Sequence, residues 1–335
     1  MHKRLFLHAI AAVVALGATV PAAAQNWKPT HPINLIVPWA AGGSTDQVTR
    51  VTAAELEKAL GQTIVIVNQP GASGAIGTRS ALDAAKDGYT WTAGAAQDLG
   101  AYQALGSVNT SIKDWHLFLT VANIQVIGVN PQRPWKNAKE LLDDMKKRPG
   151  QISVATAGVT SAAHNAMDQI VKATGVKYKE VSYDGGNPAV VATVSGEADL
   201  TTQLAVEQAD MIRGKRLRPL AAVSDKPLEL EGFGTIPPLS ATVPGFTAPA
   251  NYFGIFIPKG VPDDVVKTVQ RIWAENIARS DALKKYATSR GALFIPVSGD
   301  AAQKAAWPAV QTNVWNLQAS GKTKVSPDTV GIPKP

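Results

Sequence analysis

Apolar runs alternate with small-residue loops and helix-patterned stretches along most of the chain. Ile33–Val37 is almost continuously apolar, the pattern of a strand buried on both faces, and Pro38 ends it. Trp39–Gly43 is a loop poor in side chains. Ser44 and Gln47 then have the spacing of a capping box and predict a helix start at Ser44. Val48, Thr52, Leu56 and Leu60 give that helix one buried face, and Gly61 sits where a C-terminal cap belongs. A strand passing through glycines into a helix leaves free amide N–H groups and a positive dipole end aimed at one spot. Such a spot favours an anion.

The unit repeats. Thr63–Val67 is a β-branched strand, Asn68–Gly74 a loop and Ala75–Ala85 a helix-compatible stretch, followed by a strand at Tyr89–Ala93 and a rim loop at Ala95–Leu99. Gly71, Gly74 and Gly77 lie three apart but match neither the Walker pattern nor the dinucleotide fingerprint. Strand–helix alternation predicts a parallel, doubly wound α/β sheet whose ligands gather at the carboxyl ends of the strands. Val121–Val129 is a long apolar run, after which the character of the chain changes. Trp135–Lys147 reads as an amphipathic helix. Ile152–Ala155, the loop Thr156–Thr160 and the helix Ser161–Thr174 repeat the unit a third time. A strand at Lys179–Ser182 leads through Tyr183–Pro188 into a further helix, and strands follow at Leu200–Leu204 and Leu220–Val223. Val243–Ala250 reads as a return linker, Tyr252–Ile257 as a strand, and Pro308 should kink or interrupt the last helical stretch.

Met1–Ala24 has the layout of a cleavable export signal: Lys3 and Arg4, an apolar stretch, then Ala22-Ala23-Ala24 before Gln25. Its removal leaves 311 residues and a net charge of +5, enough chain for two domains. The chain has no cysteine, which excludes a disulfide framework, a thiolate metal site and a lipid-modified N-terminal cysteine. Its basic clusters, Lys146–Arg148 and Arg213–Arg218, carry no interleaved aromatics and read as solvated faces, not as a nucleic-acid surface.

These loops carry a resemblance. Pro32–Asp46 (PINLIVPWAAGGSTD), Asn68–Gly77 (NQPGASGAIG), Ala157–His164 (AGVTSAAH), Tyr183–Ala189 (YDGGNPA), Gly196–Asp199 (GEAD) and Asn251–Pro258 (NYFGIFIP) resemble the exported receptors of tripartite tricarboxylate transporters, the Bug receptors. The resemblance covers essentially the whole mature chain. It implies a two-lobed periplasmic binding fold, type II-like, each lobe a mostly parallel sheet flanked by helices with the ligand cleft between. The lobes would comprise residues 25–124 plus 252–335 and residues 125–251, joined by two crossovers. It further implies a monomeric periplasmic receptor, without cofactor, metal or enzymatic activity, that binds a small carboxylate and presents it to integral membrane subunits of the transporter. Two departures touch the cleft: Ala40-Ala41 replace a pair of prolines, and Ala96-Gln97-Asp98 replace a serine–histidine pattern.

The candidate ligand contacts are Trp39, Ala41, Gly42, Gly43, Ser44, Asp46, Ser73, Gly74, Ala75 and Gln97 on one side. On the other they are Ala157, Gly158, Ser161, His164, Tyr183, Asp184, Gly185 and Asp199. Each side chain has a second reading. Asp46, Ser44, Ser73 and Ser161 fit helix caps or first turns; His164 fits a loop-orienting role; Trp39 and Tyr183 fit packed rings. Asp199 either accepts hydrogen bonds from the Gly185-Gly186 loop or takes a polar end of the ligand. The competing functional class is an exported hydrolase-like enzyme, with a ligand sensor as a further alternative. No metal-ligand spacing and no G-x-S-x-G elbow occur, and Ser161 with His164 lacks an identifiable orienting carboxylate.

Overall fold

The computed structural model describes residues 27–335, so the expected export signal at Met1–Ala24 lies outside the described residues. The chain opens with β1 (Ile33–Val37), α1 (Ser44–Leu60), β2 (Ile64–Asn68), α2 (Ala75–Asp83), β3 (Thr90–Ala95), α3 (Ala96–Leu105) and β4 (Trp115–Asn123). A second group follows: β5 (Val126–Val129), α4 (Ala138–Lys147), β6 (Ser153–Thr156), α5 (Ala162–Thr174), β7 (Lys179–Ser182) and α6 (Gly186–Ser195). It continues with β8 (Leu200–Thr201), α7 (Ala205–Arg213), β9 (Arg218–Ala222) and the hairpin β10 (Leu228–Leu230) and β11 (Gly234–Ile236). The chain then returns through β12 (Asn251–Pro258), α8 (Asp263–Glu275), α9 (Asp281–Arg290), β13 (Ala292–Ser298) and α10 (Gly299–Ala319).

Two principal sheets organise these elements. The first has the order β13-β4-β12-β3-β1-β2 and the second β7-β6-β8-β5-β9. Both are mixed. β1 pairs parallel with β2 and β3, as the alternating pattern predicts, whereas β12 runs antiparallel to β3 and β4, and β13 antiparallel to β4. The reversal comes from chain routing: β12 re-enters from the second sheet and slots between β3 and β4, a placement that local periodicity does not encode. The apolar run after Val121 is split. β4 ends at Asn123, Ile124-Gln125 carry the chain across, and β5 begins the second sheet at Val126.

Each sheet is covered on both faces, which explains the near-continuous apolar strands. Leu56 of α1, Val265 and Trp273 of α8 and Leu283 of α9 pack on one face of the first sheet, and Tyr102 of α3 with Val310 and Val314 of α10 on the other. Leu141, Met145, Met167 and Ile170 of α4 and α5 cover one face of the second sheet. Val190 of α6 and Ile212 of α7 lie with the opposite cluster. Two expectations fail. Ala95–Leu99 is not a loop, because α3 starts at Ala96; and α10 runs unbroken through Pro308. Proline inside a helix costs about 3 kcal/mol. Burial of Val310, Val314 and Leu317, all with no exposed surface, holds the helix together past it.

Candidate functional site

The two sheet units meet along the loops that precede their helices. α1 starts at Ser44 as expected, but its N-cap is Gly43 and no capping box forms: Gln47 Nε2 donates to the Gly42 carbonyl instead (2.7 Å). Asp46 turns back on its own loop. It accepts the Gly42 N–H at 2.9 Å and takes Arg50 at 2.8 and 3.0 Å and Asn68 at 3.0 Å. Burial would raise its carboxyl, yet Arg50, the Gly42 N–H and Asn68 together hold it below the usual range. Asp46 therefore fixes the loop and does not line the cleft.

The second loop is strained. Gly71, Ala72, Ser73 and Gly74 all have positive φ (123°, 48°, 53° and 86°), a conformation in which two non-glycine residues persist only when their surroundings enforce it. Ser73 accordingly caps no helix. Its carbonyl accepts the Thr160 hydroxyl from the other unit at 2.7 Å and the Tyr102 hydroxyl at 3.3 Å. Ser161 does cap α5, accepting the His164 and Ala157 N–H groups at 3.3 Å each.

Glycines let the two units approach backbone to backbone. A Cβ on Gly158 would lie 2.2 Å from Ser73 Oγ, and one on Gly185 would lie 3.0 Å from Ala40 Cβ. Asn165 Nδ2 donates across the gap to Gln97 Oε1 at 3.1 Å. The third crossing is Glu207, near the start of α7, whose Oε1 accepts the Ser44 N–H at 2.8 Å. Its Oε2 takes the Leu204 N–H at 3.3 Å and, with the Gln203 amide turned to suit its neighbours, Gln203 Nε2 at 3.0 Å.

Two spaces remain between the units, and Trp39 and Ala157 line both. The inner one has a volume of about 30 Å³, enough for a water-sized group. Its wall is built from the first turns of five helices: Gly43–Thr45 of α1, Ala95 and Asp98 of α3, Ser161-Ala162 of α5, Gly186 of α6, and Leu204 with Glu207 of α7. Trp39, Ala157, Gln203 and Phe253 complete it, and no Lys, Arg or His lines it among the described residues. The outer space, about 250 Å³, lies between Gly71–Ser73 and Ala157–Val159, with Ser182–Asp184 at its edge. Larger hollows of about 730 and 830 Å³ lie elsewhere, one beside Lys113 and Trp307, the other beside the chain crossings.

Of the expected contacts, Gly43, Ser44 and Ser161 line the inner space. Ser73, Gly158, Tyr183 and Asp184 line the outer one, and Trp39 and Ala157 line both. Gly74, Ala75, Gly185 and Gln97 are buried and line neither space, and Ala41 and Gly42 are exposed and line neither. His164 and Asp199 are placed away from both spaces. His164 is buried with Nδ1 2.6 Å from Glu180 and Nε2 3.4 Å from Asp168. Asp199 does not reach the Gly185-Gly186 loop. It accepts from Ser153 N–H and Oγ at 2.8 Å and pairs with Arg133 at 2.9 Å, tying β6 to β8. Sequence reasoning missed Thr45, Phe253 and Glu207 and treated Asp98 only as a departure. Glu207 lies in the first turn of α7, and its sequence neighbourhood says nothing of what faces it.

Two acids thus face the inner space. Burial pushes the Asp98 carboxyl well above the usual range, and burial raises Glu207 against the lowering effect of its bonds to Ser44 and Leu204. A raised carboxyl pKa means that the folded protein holds protons the unfolded chain has lost. Its stabilising contribution is complete below the unfolded pKa and disappears as pH rises through the folded value. The melting temperature should therefore decline as pH rises above about 4, the unfolded carboxyl value. Asp98→Asn with Glu207→Gln should flatten that decline; an unaltered slope in calorimetry would show that neither acid is responsible.

The fold and this interlobe cleft define a two-lobed solute-binding protein. The sequence profile described as the tripartite tricarboxylate transporter family receptor (TctC) matches residues 48–316, and the chain belongs to that family. BugT of Bordetella pertussis is 31% identical over 270 residues, which span 77% of this chain and 80% of BugT. Among solved structures, the periplasmic binding protein BugD superposes with a TM-score of 0.80 at 26% identity, covering 88% of this chain and 99% of BugD. An adipate-bound R. palustris protein shares the fold, with a TM-score of 0.77 at 24% identity over 88% of this chain and 98% of its own.

Proposed function

We propose that this protein is a periplasmic receptor that captures a small organic carboxylate between its lobes and delivers it to the membrane subunits of a tripartite tricarboxylate-type transporter. One observation carries the reading: helix starts from both lobes converge on one cleft whose inner wall holds no cationic side chain. Backbone N–H groups at helix N-termini recognise an anion without the desolvation cost of a buried counter-charge. In the described conformation the N–H groups of Gly42 and Ser44 are engaged by Asp46 and Glu207. The ligand carboxylate is therefore assigned to the outer space, against the strained Gly71–Gly74 turn and the Ala157–Ser161 and Tyr183–Gly186 loops. The adipate held by the R. palustris neighbour is a ligand of this class. The lobes divide at 124/125 and 251/252, the protein works as a monomer, and closure of the lobes over the acid creates the surface that the membrane partner reads.

Binding without turnover is favoured by how the Ser161–His164 pair is used. The serine hydroxyl accepts two backbone N–H groups and the imidazole faces Glu180 and Asp168, so neither is poised against the other. The test is a thermal-shift screen of the mature protein against organic acids and sugars, with chromatography of each hit after incubation. Carboxylate hits recovered intact support the receptor. Sugar-only hits, or consumption of the acid, would overturn it.

A further inference from the structure

The hollow of about 830 Å³ beside the chain crossings shares no lining residue with the cleft. Ile124-Gln125 and Ala248–Ala250, the two crossings, contribute to it directly. One further wall is β10 with the loop before it, Ser224–Glu231, and another comes from the end of α9 and the start of β13, at Thr288, Ala292 and Leu293. Both lobes therefore build it. Its volume falls within the range of small-molecule sites, roughly 300–1,000 Å³. Leu228, Leu230, Pro249 and Leu293 give it apolar walls.

Its charge is opposite to that of the whole molecule. On a chain of net charge +7, Asp225, Glu229 and Glu231 line this hollow against a single cation, Lys226. None of the three acids joins an ion pair among the described residues. Asn123, the last residue of β4, adds an independent demand. It lines the hollow and is only 1% exposed, yet neither Oδ1 nor Nδ2 has a hydrogen-bond partner among the described residues. A buried amide left in that state is costly, and a group offering both a donor and an acceptor satisfies it. The hollow beside Lys113 differs on both counts: first-lobe residues alone line it, and none of them holds a buried side-chain polar atom without a partner.

We propose that the hollow at the crossings is a second ligand site, for a small apolar cation that also carries an amide: the cation rests against Asp225, Glu229 and Glu231, and the amide pairs with Asn123. Rotation of one lobe against the other about the crossings changes the width of such a site. Occupancy therefore selects a lobe angle and, on the reading that the cleft receives a carboxylate, regulates acid binding. Linkage requires each ligand to change the affinity of the other by the same factor.

The experiment is isothermal titration of the mature protein at about pH 6, where an α-amino group is protonated. The probe is phenylalaninamide, with 3-phenylpropanamide lacking its ammonium and phenethylamine lacking its amide. Phenylalaninamide should bind at least about fivefold more tightly than either. Asp225→Asn combined with Glu229→Gln and Glu231→Gln, all at exposed positions, should remove its advantage over 3-phenylpropanamide. Asn123→Leu, close in shape, should remove its advantage over phenethylamine. No binding, equal binding of the three probes, or the full advantage retained in the triple acid variant would overturn the site. With the strongest acid of the thermal-shift screen bound, the affinity for phenylalaninamide should change at least about fivefold. Independence of the two would overturn the regulatory role and leave the receptor reading standing. Binding of phenylalaninamide to a protein that binds no acid would overturn the receptor reading and leave the second site standing.

Discussion

Gly158→Val leaves each lobe folded and stops them from closing. Gly158 has φ of +92°, and a Cβ there would lie 2.2 Å from Ser73 Oγ and 3.3 Å from Ser73 Cβ, across the interlobe gap. Ser73 cannot retreat easily, because its carbonyl is held by Thr160 and Tyr102 and its own φ is positive. Valine also brings two methyl groups into that contact. The strain within the lobe amounts to about 1–3 kcal/mol, which a domain of ordinary stability survives. Loss of a properly closed complex should weaken the best-binding acid about 100-fold, the equivalent of nearly 3 kcal/mol. The radius of gyration of the free protein should rise in X-ray scattering. Gly150→Val is the matched control, since Gly150 has φ of +76° and nothing within 4 Å of its added Cβ. Equal affinities for the Gly158 and Gly150 variants would show that the Gly158–Ser73 approach does not matter for binding.

Gly254→Ala is expected to abolish the folded protein. Gly254 lies in β12 between β3 and β4, at a register shift, and an added Cβ would sit 2.0 Å from the Phe118 carbonyl oxygen and 2.7 Å from Leu119 Cα. Both atoms belong to the backbone of a central strand, so relief requires parting the sheet. Changes that force such movement cost more than about 4 kcal/mol, against a typical total of about 5–15 kcal/mol. The variant should accumulate as insoluble chain and lack a cooperative melt by circular dichroism. A melting temperature within a few degrees of the wild type would mean that β12 and β4 are not packed as described.

Local chemistry made much of the molecule legible before any coordinates. Gly61 ends α1 with φ of 66° and its N–H on the Glu57 carbonyl, and Ser161 caps α5, because caps are written in a few adjacent residues. The strand at Lys179–Ser182 matches its expected bounds. What local pattern does not carry is routing. The insertion of β12 between β3 and β4 joins residues more than 100 positions apart, and no periodicity within either strand specifies its direction. The site shows the same divide. The glycine loops could be named, but their main physical task, a close approach of two backbones, depends on the opposing lobe. Glu207 is hidden for the same reason: it reads as an acid in a helix's first turn, and only the fold puts it on Ser44, 163 residues earlier. Asp46 and Asp199 were plausible polar contacts until the structure supplied Arg50 and Arg133 as their partners.

The central claim is that backbone loops of both lobes hold the acid between them, and a crystal structure of the mature protein with the strongest carboxylate hit tests it most directly. The prediction is a carboxylate with oxygens about 3 Å from main-chain nitrogens of the Gly71–Gly74 turn and of the Ala157–Ser161 or Tyr183–Gly186 loop. An acid seated instead on lysine side chains in the hollow beside Lys113, Lys259 and Trp307, or touching one lobe alone, would contradict it.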